Sequence, residues 1–302
     1  MIGYACINET LSSVGITTNR GMIKKTFTEK GVAYASQLAL KNIQDLYSIL
    51  NWNKKNNILF FRISSDLFPW ASEYKLSDLP DFLEISEELA RCGDFAKQSG
   101  IRLTFHPGPF NKLCSSDERV LTNTIKDLEH HALIFDLMGL ERSHWAKINI
   151  HVGAAYDSKI ETAKVFCNNF RRLSSSLQSR LTVENDDKAS LFSTKELYEL
   201  VYKEIKIPIV HDIHHHTFCD GGLSDKEAMA LAGETWGNIV PVVHYSESRS
   251  VEMSDPKCKP QAHSDYIFSK ICLHGLCRHV MIEAKKKELA LLQYRKTYSS
   301  SL

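Results

Sequence analysis

The sequence lacks any apolar run of about 18 residues, the length that a helix needs to cross a bilayer, so no transmembrane helix is predicted. Its first residues, MIGYACINET, hold no basic segment followed by an apolar stretch, and no secretory signal is expected. An excess of either charge is also missing, because 37 Lys and Arg face 36 Asp and Glu. A nucleic-acid surface on this chain would therefore have to be local.

The sequence also lacks paired-cysteine motifs and glycine-rich phosphate-binding motifs. The eight cysteines include no C-x-x-C pair, which argues against a disulfide framework or a zinc ribbon and indicates a reducing compartment. Neither G-x-G-x-x-G nor G-x-x-x-x-G-K-[ST] occurs, so the usual phosphate loops of doubly wound sheets are missing.

What the sequence does contain is a series of eight short apolar segments with many β-branched residues. They are 3–7 (GYACI), 58–64 (ILFFRIS), 102–106 (RLTFH), 147–152 (KINIHV), 180–184 (RLTVE), 207–213 (IPIVHDI), 240–246 (VPVVHYS) and 279–284 (HVMIEA). Stretches of helical periodicity lie between them, and Ser193 with Glu196 and Ser224 with Glu227 are capping-box starts. Eight strands that alternate with helices predict an α/β fold, a (β/α)8 TIM barrel, with an open doubly wound sheet as the alternative.

The domain prediction follows from this pattern. We expect one TIM-barrel domain over residues 1–290 and a polar C-terminal tail over 291–302, where the sequence ends in YRKTYSSSL.

Histidines and carboxylates end six consecutive predicted strands, from the third to the eighth. They are His106, His151, Glu184, Asp212 with His215, His244 and Glu283. In a barrel these strand ends meet at one mouth, and burying so many unpaired polar groups there would be very costly. A cluster of divalent ions removes that cost, and imidazole with carboxylate suits zinc, manganese or iron.

The densest stretch is HDIHHHTFCDG at 211–221, which follows the apolar IPIV in mid-chain and so is not a purification tag. Strand alternation predicts that Asp212 and His214 share one face, with His211 on the other. Beyond the strand end the chain turns, so that His215 or His216 can point inward. A solvated polar loop is the alternative interpretation, and His263 after strand seven can complete the cluster.

Nine pieces of sequence, taken in order, resemble the UV-damage endonuclease family of metal-dependent DNA repair barrels, which is related to endonuclease IV and xylose isomerase. They are GYACIN, FFRISSDLFPWAS, TFHPG, NIHVGAAY, TVENDD, IVHDIHHH, VVHYSES, QAH and VMIEAKKKE. The resemblance covers about residues 2–290. It implies hydrolysis of the phosphodiester immediately 5′ of a UV photolesion in double-stranded DNA.

The resemblance also implies two or three manganese ions, with zinc, magnesium or cobalt as alternatives. One ion would be held by His106, His151 and Glu184, a second by Glu184, Asp212, His244 and Glu283, and a third by His215 and His263. The expected catalytic residues are Glu184 and His244, together with Tyr4 and Asn8, which match family positions near the scissile DNA.

Three positions depart from the family's pattern. Pro109-Phe110 stands in place of a Gln-Tyr pair that wedges into the duplex, although Phe110 can still insert at a base step. Glu73 replaces a histidine, and Val242 replaces a lysine two residues before His244.

DNA contacts are expected from loops at the same mouth, with simple solvation as the alternative for each lysine. The candidates are Arg62, Pro109, Phe110, Lys112, Tyr156, Lys257, Lys259 and Lys285. The predicted partner is damaged duplex DNA, with no membrane, and a monomer is the default. Two other functions stay open: a sugar isomerase or epimerase on the same barrel, and a damage-binding protein that has lost turnover.

Overall fold

The computed structural model describes residues 1–298 and contains a strand in each of the eight predicted segments. The strands are β1 (Ile2–Cys6), β2 (Phe60–Ile63), β3 (Arg102–Thr104), β4 (Ile148–His151), β5 (Leu181–Glu184), β6 (Ile209–Asp212), β7 (Val242–Tyr245) and β8 (His279–Ile282). All pairs between neighbouring strands are parallel, because each connection crosses the outer layer before the next strand begins.

The strand order is β3-β2-β1-β8-β7-β6-β5-β4, and β1 pairs with β8 through Tyr4 and Ile282. Within residues 1–298, the two edge strands, β3 and β4, are joined by backbone hydrogen bonds only at Phe105, the residue after β3. Its N–H donates to the carbonyl of Lys147 at 2.9 Å, and its carbonyl accepts from the N–H of Asn149 at 3.0 Å. The sheet is therefore a nearly closed barrel, which confirms the predicted TIM-barrel class and excludes the open doubly wound sheet.

Helices surround this barrel. They are α1 (Glu9–Ser12), α2 (Lys24–Lys55), α3 (Phe82–Ser99), α4 (Glu118–Leu137), α5 (Lys159–Phe170), α6 (Ser175–Gln178), α7 (Thr194–Leu197), α8 (Lys203–Ile205), α9 (Ile213–His216), α10 (Asp225–Glu234), α11 (Arg249–Glu252) and α12 (Lys287–Tyr298). A π-helical turn, Tyr198–Tyr202, joins α7 to α8. Both predicted capping boxes form, at Ser193 with Glu196 and at Ser224 with Glu227. Among residues 1–298, no helix combines the length and apolar character that membrane crossing requires.

The main apolar core lies between the barrel and the helices, and a smaller apolar cluster fills the barrel itself. The inner cluster includes Ala5, Phe60, Val210, Val242 and Met281. Its members alternate along their strands with residues of the outer core, as the two-residue period of a strand requires. Tyr4, next to Ala5, belongs to the outer core.

The end of the barrel opposite the mouth is closed by Arg102, whose side chain is fully buried. Its guanidinium donates to the backbone carbonyls of Trp145, Val240 and His144 at 2.8–2.9 Å and to Nδ1 of His279 at 3.0 Å. These acceptors satisfy the cation without a carboxylate, and burial lowers the pKa of Arg102 to about 9.

The C-terminal end of the described chain differs from the predicted polar tail. Residues 291–298 continue α12, and Leu291 and Tyr294 are buried against the barrel. Glu288, in the first turn of α12, accepts hydrogen bonds from the backbone N–H groups of Glu9 and Thr10 at 2.8 and 2.7 Å. This helix is part of the folded unit, and residues 299–302 of the predicted tail lie outside the described residues.

Candidate metal centre

Glu184 lies at the middle of the barrel mouth and is fully buried at the end of β5. Its Oε2 is 3.1 Å from Nε2 of His106, 3.0 Å from Nδ1 of His244 and 3.9 Å from Nε2 of His151. Its Oε1 is 3.5 Å from Nδ1 of His215. Four imidazoles from four different strand ends thus surround one carboxylate.

Two further carboxylates complete the cluster. Oε1 of Glu283 lies 3.1 Å from Nδ1 of His244, and its Oε2 lies 3.8 Å from Nδ1 of His263. Asp212, at the end of β6, accepts a hydrogen bond from the backbone N–H of His215 at 2.7 Å and so caps α9. This cap turns the chain into a helix directly after the strand, and the turn brings His215 into the mouth.

The potential ligand atoms fall into three groups, within each of which all atoms lie within 4.8 Å of one another. The groups are His106–His151–Glu184, Glu184–Asp212–His215 and Asp212–His244–Glu283. The first matches the first predicted ligand set. His215 joins Glu184 and Asp212 rather than His263, and His263 stands beside Glu283 without belonging to any of the three groups found over residues 1–298.

Several buried atoms in this cluster lack a hydrogen-bond partner. They are Oε1 of Glu184, Oδ2 of Asp212, Nδ1 of His151 and Nδ1 of His244. An unpaired buried lone pair is costly, and a bound cation is one way to satisfy it. The donor set of imidazole nitrogens and carboxylate oxygens therefore fits divalent transition metals such as zinc and manganese.

The electrostatics of the cluster keep Glu184 ionised and His106 neutral, whereas neighbouring carboxylates outweigh burial at His151 and His215, raising the pKa of His151 and bringing that of His215 to about 9. Burial opposes ionisation of Glu184, but His244, His151 and His106 hold the pKa of its carboxyl well below the usual range. Burial lowers the pKa of His106 to about 4, which outweighs the neighbouring carboxylate and leaves the imidazole neutral at neutral pH. A neutral imidazole beside an ionised carboxylate is what a metal ion requires of both.

A layer of supporting side chains lies directly beneath these groups, and the sequence analysis missed most of it. Asn149 donates a hydrogen bond to Oε2 of Glu184, and Lys147 places Nζ 3.3 Å from Nε2 of His244. Asn149 lies on the interior face of β4, which ends at His151, and Lys147 lies directly before β4 on the same face. Counting back from His151 in steps of two would have identified them, since side chains two apart share a face of a strand.

Two predicted catalytic residues, Tyr4 and Asn8, are joined to each other and to neighbouring helices by hydrogen bonds. The hydroxyl of Tyr4 donates to Oδ1 of Asn53 on α2 at 2.7 Å and accepts from Nδ2 of Asn8 at 2.9 Å. Oδ1 of Asn8 accepts from the backbone N–H of Leu11 and caps α1. Both side chains are fully buried and engaged within the protein, because Ala5 and not Tyr4 takes the interior face of β1.

Arg62, a predicted DNA contact, belongs to β2 rather than to an exposed loop. Its guanidinium is mostly buried and forms an ion pair with Glu283 inside the centre. Lys112 is half-buried and donates to the carbonyl of Gly153. Glu73, which replaces a family histidine, is exposed and belongs to none of the three ligand groups.

The other predicted DNA-contacting residues are exposed on loops around the mouth. They are Pro109, Phe110, Tyr156, Lys257, Lys259 and Lys285. Phe110 is 89% exposed, an unusual state for a phenyl ring, and it lies in the loop that follows His106. An apolar side chain at this place is suited to contact with another molecule.

The remaining histidines of the 211–216 stretch support the fold. His211 faces outward, where Nε2 lies 2.9 Å from Oδ1 of Asp225. His216 places Nε2 3.1 Å from the carbonyl of Leu223. His214 is buried beside Phe218, and it is absent from the three ligand groups within the described chain.

Comparison with known proteins finds one family over almost the whole chain. The family model described as UV-endonuclease UvdE matches residues 1–301. The chain is 35% identical over 313 residues to the UV-damage endonuclease of Schizosaccharomyces pombe, a match that covers 98% of this chain and 50% of that protein. The chain therefore spans half the length of the yeast protein.

A bacterial relative and a solved structure extend the comparison. The UV DNA damage endonuclease of Bacillus cereus is 34% identical over 273 residues, which cover 86% of this chain and 81% of that protein. A crystal structure described as SacUVDE superposes with a TM-score of 0.85 at 32% identity, covering 99% of this chain and 98% of the other.

Proposed function

The chain belongs to the UV-endonuclease UvdE family, and from that premise we propose that it is a metal-dependent endonuclease that hydrolyses the phosphodiester immediately 5′ of UV photolesions in duplex DNA. The observation that carries the proposal is the buried carboxylate of Glu184, within 3.9 Å of four imidazoles at the barrel mouth. Such a cluster of unsatisfied ligand atoms has little structural use unless it binds cations.

The three ligand groups are the proposed metal sites, and manganese is the proposed ion. Divalent ions at such sites lower the pKa of a bound water to near neutral and offset the charge of a phosphodiester. Glu184 belongs to two of the groups and is the proposed bridging ligand. His263, beside Glu283, is the proposed additional ligand on the side of the β7–β8 connection.

The chain's own residues supply the remaining parts of the proposed reaction. Phe110 stands exposed beside the centre and is proposed to insert at the distorted base step. Lys257, Lys259 and Lys285 are exposed on the same face and are proposed to contact backbone phosphates. Arg62, held by Glu283, contributes a permanent positive charge next to the proposed phosphate position.

A nicking assay on end-labelled duplexes with manganese tests this function. One duplex carries a cyclobutane dimer, one a 6-4 photoproduct, one an abasic site and one no damage. Cuts directly 5′ of a photolesion are expected from the wild-type protein, and Glu184→Gln should abolish them. Glu73→Gln is the matched control, because it changes an exposed glutamate outside the ligand groups and should cut normally.

The other outcomes separate the alternatives. Cuts only at the abasic site would indicate a general repair nuclease with a different substrate range. Binding of manganese without any cut would contradict the nuclease function and favour a damage-binding protein or a sugar-converting enzyme.

A further inference from the structure

Lys147 is a fully buried lysine inside the barrel, and it does not belong to the three ligand groups. Its side chain makes one hydrogen bond within residues 1–298, from Nζ to Nε2 of His244 across the barrel at 3.3 Å. It forms no ion pair with any carboxylate of the described chain. Lysines are seldom buried completely without a charged partner, because removing the ammonium group from water is costly. The contact with His244 therefore points to a specific role for Lys147.

The contact fixes the orientation of the His244 ring. Of the two ring nitrogens, the one available for a metal is decided by the hydrogen bond that the other one makes. Lys147 engages Nε2 from beneath, and Nδ1 then points into the centre, 3.0 Å from Oε2 of Glu184 and 3.1 Å from Oε1 of Glu283. The ring orientation is the same in either direction of the hydrogen bond, but Nδ1 offers a lone pair to an ion only when Nε2 carries the proton and donates to Nζ.

The strand that carries His244 offers no such partner. Val242 stands two residues earlier on the same interior face of β7, and its side chain is buried in the apolar cluster inside the barrel. The hydrogen bond to Nε2 therefore comes from the residue directly before β4, three strands away from β7 in the strand order. Without Lys147, Nε2 of His244 would have no hydrogen-bond partner among residues 1–298.

We infer that Lys147 is a positioning residue that acts through His244 and sets the affinity of the Asp212–His244–Glu283 group for a divalent ion, without being a ligand itself. The inference rests on the proposed metal-dependent function. It predicts a selective effect, since Lys147 makes no hydrogen bond to His106 or His151 of the His106–His151–Glu184 group.

The first test needs no metal and no activity. In chelator-treated wild-type protein labelled with 15N-histidine, His244 should show the chemical shifts of a single fixed tautomer, and the signal is assigned by its loss in His244→Gln. Lys147→Met, which keeps the length of the side chain, should give a ring that averages between tautomers. An averaged ring in the wild type would overturn the inference, even if no Lys147 variant folds.

The second test measures manganese binding by calorimetry at one pH. Lys147→Met should weaken one class of site by roughly 10- to 100-fold and leave the other unchanged, the usual size of effect for a partner of a metal ligand. Thr104→Val is the matched control, because it removes another buried polar group of the barrel interior whose Oγ1 has no partner. It should bind manganese as the wild type does.

A double-variant cycle decides whether Lys147 acts through His244. Lys147→Met combined with His244→Gln should bind manganese no more weakly than His244→Gln alone. Additive losses, or an equal loss at both classes of site, would overturn the inference. A wild-type protein that binds no manganese would contradict the proposed function, yet the tautomer measurement would still decide the Lys147–His244 contact.

Discussion

Asn149 donates a hydrogen bond from its side-chain amide to Oε2 of Glu184, directly beneath the candidate metal centre. The amide cannot turn around, because its Oδ1 accepts from the hydroxyl of Thr182 at 2.7 Å. Two neutral residues on neighbouring strands thus hold the central carboxylate in place. Partners of this kind are what orient metal ligands in proteins.

Asn149→Leu keeps the volume of this side chain and removes its hydrogen bonds. We expect manganese affinity to fall by roughly 10- to 100-fold and the free energy of unfolding to fall by about 1–3 kcal/mol, since Thr182 loses its buried acceptor. Calorimetry and urea unfolding measure the two effects. Thr182→Val should cost less metal affinity, because it leaves the bond between Asn149 and Glu184 intact; equal losses would contradict the proposed role of Asn149.

Phe110→Ala tests the exposed ring beside the centre. Stacking of an aromatic side chain on a base is worth about 1–3 kcal/mol, so affinity for a photolesion duplex should fall by roughly 5- to 150-fold. Fluorescence anisotropy in a Glu184→Gln background measures binding without cleavage. Leu133→Ala, which truncates an exposed apolar residue in the middle of α4, is the control and should bind normally. Unchanged lesion binding by Phe110→Ala would rule out the insertion.

Lys257→Ala and Lys259→Ala test the proposed phosphate contacts. Each lost contact should lower the slope of log affinity against log salt by about one, with little change in preference between damaged and undamaged DNA. Lys55→Ala, at the end of α2 that lies away from the mouth, should leave the slope unchanged. Slopes that agree among all three variants would mean that both loop lysines are merely solvated.

The closed end of the barrel gives a pH prediction. Burial, with the positive charges of the terminal amine and Arg102, lowers the pKa of His279 to about 3, whereas an unfolded histidine titrates near about 6.5. Between these values the unfolded chain binds the extra proton, so stability falls as the pH drops below about 6.5. The slope from one such group reaches about 1.4 kcal/mol per pH unit.

His279→Gln removes this group and keeps a carbonyl that can accept from Arg102. We expect its unfolding free energy, measured by urea titration in the presence of a chelator, to decline less steeply between about pH 6 and pH 4. Parallel profiles for the variant and the wild type would show that His279 does not take part in acid unfolding.

The strands and the main ligands could be predicted because both depend on short-range patterns. Apolar segments separated by helical periods give the barrel, and the last residue of each strand must then face the mouth. The facing of Tyr4 could not be predicted, because Gly3 and Ala5 beside it are small and leave the two faces of β1 undecided in the sequence. His215 was left open against His216, since the choice depends on the turn that the Asp212 cap imposes.

Lys147 could not be predicted from residue type, because a lysine is expected at the surface. Its burial follows from its position directly before β4, four residues before His151 on the same interior face, and its partner His244 lies far away in the sequence. Contacts of this kind depend on the closure of the barrel, which no local pattern encodes.

The junction between β3 and β4 has one further consequence. In the described part of the chain, Phe105 alone joins these two strands by backbone hydrogen bonds. His106 follows Phe105, and His151 ends β4. An ion bound by both imidazoles would link β3 to β4, so that metal binding would also stabilise the closure of the barrel. Hydrogen exchange at the amides of Phe105 and Asn149 should then slow on adding manganese, and these amides should be the first to lose protection when the ion is removed.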